Sequence, residues 1–232
     1  MHGALSGKVA VVTGSAGGIG AAVATAFAEA GAEVVELDRE QADLTRPDDV
    51  AAFFARLERL DVLFNGAGIS GRSLGDGPVE ECTVEAWEAV LATNLTSVFL
   101  CSKHAISLLR EAGGGAIVNL SSVMGMMAGD EDFTTHAYQV SKGGIITLTR
   151  AMAYHYGRDG IRVNAIAPGL IATPMSLRAQ SDPGIVARLP DLHPLTGDFG
   201  TPEDVAGAAL YLATAEFVTG AVLSVDAGWT LR

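Results

Sequence analysis

Cysteine is nearly absent from this chain: Cys82 and Cys101 are the only two, 19 residues apart. With no clustered His beside them they exclude a structural zinc site, so no metal is called for, and reduced thiols of a cytoplasmic protein are the expectation. Positive charge is scarce too. Fifteen Lys and Arg stand against 27 Asp and Glu, a formal net charge of -12, which repels nucleic-acid phosphates and anionic lipid head groups. Neither nucleic acid nor a membrane surface is an expected partner. No apolar run reaches the roughly 18 residues of a membrane span. The opening Met1-His2-Gly3-Ala4-Leu5-Ser6-Gly7-Lys8 also lacks the apolar stretch of a secretory signal. Charged residues are only 18% and hydrophobic residues 49%, which excludes disorder and supplies a packed core. A length of 232 residues fits one domain over 1–232.

Glycine is abundant, 28 residues without a collagen-like period, and implies tight turns and close backbone approaches. Short β-branched runs at 9–13, 33–37, 61–65, 116–120, 161–166 and 221–225 read as strands. Between them the pattern predicts helices at about 18–30, 47–59, 83–111, 137–157 and 202–214. Nearly continuous apolar strands belong to a sheet covered on both faces. The βαβα order predicts an α/β fold, a doubly wound parallel sheet of the Rossmann type. Residues 173–200, with four prolines and little periodicity, read as a long loop or substrate lid.

The first strand runs into Thr13-Gly14-Ser15-Ala16-Gly17-Gly18-Ile19-Gly20. Glycines there let the backbone approach a pyrophosphate, which a helix N-terminus holds through free N–H groups. Asp38 ends the second strand 18 residues after Gly20, where a carboxylate accepts from an adenosine ribose and repels a 2'-phosphate. NAD is therefore favoured over NADP, although Arg39 next to it could pair with that phosphate.

This glycine spacing resembles the classical short-chain dehydrogenase/reductase family, and the resemblance continues over nearly the whole chain. Asn65-Gly66-Ala67-Gly68 is similar to the family's Asn-Ala-Gly motif, which braces the sheet near the adenine ribose. Asn94 matches a structural and catalytic Asn, and Ser122, Tyr138 and Lys142 match the Ser and Tyr-x-x-x-Lys set. Pro168-Gly169 with Ile171 and Thr173 resembles the segment that holds the nicotinamide carboxamide. The resemblance implies a cofactor site of Gly14, Ser15, Gly18, Ile19, Gly20, Asp38, Asp43, Leu44, Asn65, Ala67, Gly68, Tyr138, Lys142, Pro168, Gly169, Ile171 and Thr173. It also implies a homotetramer packed through the helices at about 83–111 and 137–157.

Tyr138 and Lys142 are four apart on an expected helix, so both can reach one pocket. A phenol titrates near pH 10, and bringing it near neutrality needs roughly 3–4 kcal/mol. An ammonium about 5 Å away at an effective dielectric of about 20 gives roughly 3 kcal/mol, and the positive ring of an oxidised nicotinamide adds to it. Tyr138 is the expected general acid/base. Ser122, at the carboxyl edge of the sheet, is expected to orient the substrate oxygen; the resemblance favours it over Ser121, because Ser122-Val123-Met124-Gly125 better matches the family pattern. By resemblance, Lys142 also holds the ribose and Asn94 holds a water that relays protons.

Two departures stand out. Only four residues separate Asp38 from Asp43, too few for a parallel crossover, so the family's third, edge strand is expected to be absent or vestigial, leaving about six main strands. Ser122 and Tyr138 are 16 apart, and the loop between them, with Met126, Met127 and Phe133, is expected to line the substrate pocket or to pack. His136 stands near Tyr138. Arg178, Arg188 and His193 lie in the expected lid as carboxylate binders or as surface.

The expected activity is hydride transfer between a nicotinamide cofactor and a small secondary alcohol or its ketone. The 57–65 stretch and the Gly228-Trp229 ending resemble members that oxidise 3-hydroxybutyrate, while sugar and polyol dehydrogenases share similar tails. The extended branch that epimerises or dehydrates nucleotide sugars is disfavoured by the short C-terminal region and the glycine spacing. A non-catalytic dinucleotide sensor would be expected to lose the Tyr or Lys.

Overall fold

The computed structural model describes residues 3–231; Met1 and His2 of the opening stretch, and Arg232, lie outside the described residues. Six strands form one parallel sheet: β1 (Val9–Thr13), β2 (Glu33–Leu37), β3 (Val62–Asn65), β4 (Gly115–Leu120), β5 (Ile161–Pro168) and β6 (Val222–Val225). Their order is β2-β1-β3-β4-β5-β6, all pairs parallel. The expected doubly wound sheet with no third edge strand is what forms. The 38–46 connection instead turns directly into the next helix, closed by the Asp38 carbonyl accepting from Gln41 and Ala42. β2 is thereby the sheet's edge, and its exposed Glu33 and Glu36 discourage another strand from pairing there.

Alternate strand residues serve two apolar layers. Ala10, Val12, Val62, Phe64 and Val118 pack with Val23 and Phe27 of α1 (Gly18–Glu29) and with Val205, Ala209 and Leu212 of α8 (Pro202–Thr214). Val11, Leu63, Ile117 and Val163 face the other way. They meet α2 (Pro47–Phe54), α4 (Ser97–Glu111) and α5 (His136–Tyr156) through Phe53, Phe54, Leu109 and Met152. This period of two is what a strand buried on both faces requires. At the sheet's amino edge Asp61 joins β1 to β3, accepting from Lys8 Nζ at 3.0 Å, the Val9 amide at 3.0 Å and Arg59 Nε at 2.7 Å. Burial raises this carboxyl, but those three donors outweigh it and hold it well below the usual carboxylate range.

Three elements differ from the sequence pattern. The expected helix at 83–111 is broken: α3 (Val84–Leu91) passes through a widened π turn, Ala92–Thr96, before α4. The helix expected at 47–59 stops at Phe54. Residues 173–200 are not a plain loop, since they hold α6 (Leu177–Ser181) and α7 (Pro183–Leu192). Two of the prolines that suggested a loop sit at helix starts, Pro174 at a one-turn helix and Pro183 at α7, where a missing N–H costs nothing. Asp182 Oδ1 caps α7 by accepting from Gly184 at 2.9 Å.

Candidate active site

The carboxyl ends of the strands open into a cavity of about 1280 Å³, as open parallel sheets favour. Its first wall is the turn from β1 into α1. Gly14 has φ +70°, and a Cβ there would stand 2.8 Å from the Ala67 amide nitrogen; a Cβ on Gly20 would collide with the Gly14 carbonyl. Only glycine allows the loop to fold this tightly against the β3 turn. The N-terminus of α1 follows at Gly17, with no side-chain cap, so its first amides remain available to an anion. Asp38, at the tip of β2, takes the Ala16 amide at 3.0 Å on one carboxylate oxygen and the Arg39 amide at 2.8 Å on the other. Uncapped helix end, close glycine turn and neighbouring carboxylate together fit a dinucleotide.

Most residues expected at the site line this cavity. Gly14, Gly18, Ile19, Gly20 and Asp38 do so on one side, and Asp43 and Leu44 do so from the shortened connection. Ala67, Gly68, Ser122, Tyr138 and Lys142 line it too, as do Pro168, Gly169, Ile171 and Thr173. Ser15, Asn65 and Asn94 are buried and do not line it. Asn65 Nδ2 donates to Asn119 Oδ1 at 2.8 Å and to Ser102 Oγ at 3.3 Å, joining β3 to β4 and α4. Asn94, in the widened turn, pairs with the Ile69 backbone: Oδ1 accepts from its amide at 2.8 Å and Nδ2 donates to its carbonyl at 3.0 Å. Nδ2 also reaches Ser141 Oγ at 3.1 Å, which fixes the turn before α3 against α5.

Helix α5 brings Tyr138 and Lys142 together as the four-residue spacing requires. Lys142 Nζ lies 5.5 Å from the centre of the Tyr138 ring and donates to the Leu120 carbonyl at 2.8 Å. Ser122 accepts from the Met124 amide at 3.2 Å and hydrogen-bonds Tyr138. Ser121 Oγ instead donates to the Lys142 carbonyl at 2.8 Å. The direction of the phenol's shift differs from expectation: burial pushes Tyr138 above its ordinary value, and the Ser122 hydrogen bond offsets only part of this. Burial likewise pushes the Lys142 ammonium down, to about 8. Both charged forms have lost water, and the Lys142 ammonium spends a hydrogen bond on Leu120, so the pair by itself does not make the phenol acidic.

A residue missed by the sequence reading holds the start of α5. Buried Asp76 accepts the Ala137 amide at 3.0 Å on Oδ1 and the Tyr138 amide at 2.9 Å on Oδ2. It caps the helix from 62 residues upstream, and no local signal reveals that. Beyond Tyr138 the wall is apolar: Met124, Phe133, Leu170 and Trp229, with the Phe133 and Trp229 rings edge-on at 5.3 Å. Met126, Met127 and His136 do not line the cavity. His193 is buried, bonded to the Leu170 amide at 3.2 Å and the Asp198 carbonyl at 2.7 Å. Arg188 is engaged by the carboxylates of Asp130 and Asp132, whereas Arg178 lines the cavity.

Family models match along nearly the whole chain, one described as short chain dehydrogenase over residues 8–50 and one as enoyl-(acyl carrier protein) reductase over 40–230. A cis-4-hydroxycyclohexanecarboxylate dehydrogenase of Sinomonas cyclohexanicum is 39% identical, covering 98% of each chain. A D-threitol dehydrogenase of Mycolicibacterium smegmatis is 36% identical over 98% of this chain and 95% of its own. A crystal structure from Beutenbergia cavernae, described as an NAD(P) dependent gluconate 5-dehydrogenase with NADP bound at low occupancy, superposes with a TM-score of 0.90. It is 33% identical and covers 98% of both chains.

Proposed function

The chain belongs to the short-chain dehydrogenase/reductase family, and from that premise we propose that it is an NAD-dependent oxidoreductase interconverting a small secondary alcohol, such as a hydroxy acid, with its ketone. The observation that carries this is that Ser122, Tyr138 and Lys142 line the same cavity as a glycine cradle. Gly14, Gly18, Ile19 and Gly20 would hold the pyrophosphate, Asp38 the adenosine ribose, and Pro168, Gly169, Ile171 and Thr173 the carboxamide. Asp43, Leu44, Ala67 and Gly68 would flank the adenine and its ribose. The bound nicotinamide supplies the hydride acceptor or donor and, oxidised, a positive charge.

The chain's own residues manage the proton. Ser122 orients the substrate oxygen, and Tyr138 Oη takes its proton in oxidation or returns one in reduction. Lys142 lowers the cost of the phenolate. Ser15, Asn65 and Asn94 act by bracing the loop, the sheet and α5 from behind. The 173–200 segment closes the cavity as a lid. Asp38 supports NAD, because a 2'-phosphate beside that carboxylate would be repelled. The apolar groove where the Ala92–Thr96 turn and α4 meet α5, lined by Leu95, Phe99, Gly144 and Leu148, is the face through which a homotetramer would pack. Two unpaired cysteines suit a cytoplasmic location.

The test is NADH formation, followed by absorbance, across a panel of secondary alcohols, polyols and hydroxy acids, with Tyr138→Phe as control. Turnover in the wild type with a loss of about 10²- to 10⁴-fold in the variant, NADH binding being retained, is expected. Near-normal activity in the variant refutes the assigned base. Cofactor binding without turnover of any alcohol favours a sensor.

A further inference from the structure

Two guanidinium groups on the cavity wall have no part in the proton transfer above. Arg72, in the turn that follows β3, and Arg178, in α6, both line the cavity. Each donates through Nη2 to the same acceptor, the Asp132 carbonyl, at 3.0 and 2.8 Å. Two cations converging on one neutral oxygen repel each other. Burial first, and then the charge of Arg178, pushes Arg72 below its ordinary value, and the carboxylates of Asp76 and Asp132 offset only part of this.

The nearby carboxylates are largely spoken for. Asp130 and Asp132 turn theirs to Arg188. Asp76 gives its two oxygens to backbone amides of α5, and Asp182 stands 3.9 Å from Arg178. Among the described residues the Asp132 carbonyl is the one hydrogen-bond partner of the Arg72 guanidinium. A guanidinium carries five N–H donors arranged to match a carboxylate, and because both residues are exposed most of this pair's donors are left to solvent or to a bound anion. The same cavity is lined by Ser122 and by the apolar side chains of Met124, Phe133, Leu170 and Trp229.

We propose that Arg72 and Arg178 form a subsite for the carboxylate of the substrate, so that the enzyme selects apolar-bodied secondary hydroxy acids, or their keto acids, over neutral alcohols. This rests on the reading of Tyr138 as the proton-transfer group and specifies the substrate class of the same site. The anion would settle the repulsion that the Asp132 carbonyl leaves between the two cations. The apolar wall would carry the body of the molecule toward Ser122 and Tyr138.

Calorimetric titration of the NADH-treated protein with cyclohexanecarboxylate and with cyclohexanecarboxamide tests this without any turnover. The acid should bind at least about tenfold tighter than the amide, and added salt should narrow the gap. The double variant Arg72→Gln, Arg178→Gln should lose the gap, and Arg178→Lys should keep part of it. In parallel, the kcat/KM ratio of 4-hydroxycyclohexanecarboxylate to its methyl ester should fall by about tenfold in the double variant. Equal or unmeasurable binding of acid and amide in the wild type overturns the subsite, as does a gap that survives the double variant. Failure of every alcohol to yield NADH bears on the redox reading alone, because the calorimetric arm needs no reaction.

Discussion

The two ends of the cavity are built by opposite means. The cradle around Gly14, Gly20 and Asp38 comes from one contiguous β1-α1-β2 unit, and apart from the Asp38 carboxylate its key contacts are amides and glycine positions that tolerate no Cβ. The far end is set by side chains from separate places: Arg72 and Arg178 reach the Asp132 carbonyl, and Arg188, which does not line the cavity, holds the carboxylates of Asp130 and Asp132. A cofactor common to many reactions can be held by main chain, which any sequence with the right glycines supplies. A substrate must be distinguished by side chains, which are free to change.

That contrast can be broken at either end. The largest effect is expected at the cradle: Asp38→Ser removes the carboxylate proposed to hold the adenosine ribose and leaves Arg39 beside it. The ratio of kcat/KM for NADP to that for NAD should rise about 100-fold, read by initial rates with each cofactor; an unchanged ratio would mean that Asp38 does not discriminate. A smaller effect is expected where the two ends meet. Asp76→Ala leaves the first amides of α5 without their cap, and should lower kcat about tenfold and stability by about 1–2 kcal/mol, measured by rates and denaturant unfolding. Asp76→Asn, which keeps an acceptor, should recover part of kcat. Equal kcat in both variants and the wild type would show that the cap does not position Tyr138.

The same contrast explains what was legible in the sequence. The glycine loop, Asp38 and the Tyr138/Lys142 spacing are local, so chain distance alone reports them. The absent edge strand was readable by arithmetic, since 39–42 cannot span a crossover. Asp76 was not readable, because its partners lie 61 and 62 residues on and a carboxylate in a Gly/Pro/Glu-rich turn looks solvent-facing. The widened turn at Ala92–Thr96 was hidden inside a helical pattern. Its cause is the pairing of the Asn94 amide with Ile69, a tertiary contact. The helices of 173–200 were masked by prolines that stand at helix starts. The spacing of Tyr138 and Lys142 also gave their proximity but not the sign of the phenol's shift, because burial acts on both groups and is a property of the assembled cavity.

The central claim is that Tyr138 becomes a base only when the cavity receives further positive charge. Ultraviolet difference titration of the wild type against Tyr138→Phe isolates this phenol from the other three tyrosines. In the protein alone its midpoint should lie above the usual value of about 10, and added NAD should bring it down, so that alcohol oxidation gains rate with rising pH while ketone reduction loses it. A midpoint already below 10 without NAD, or one that NAD leaves unmoved, would contradict the account.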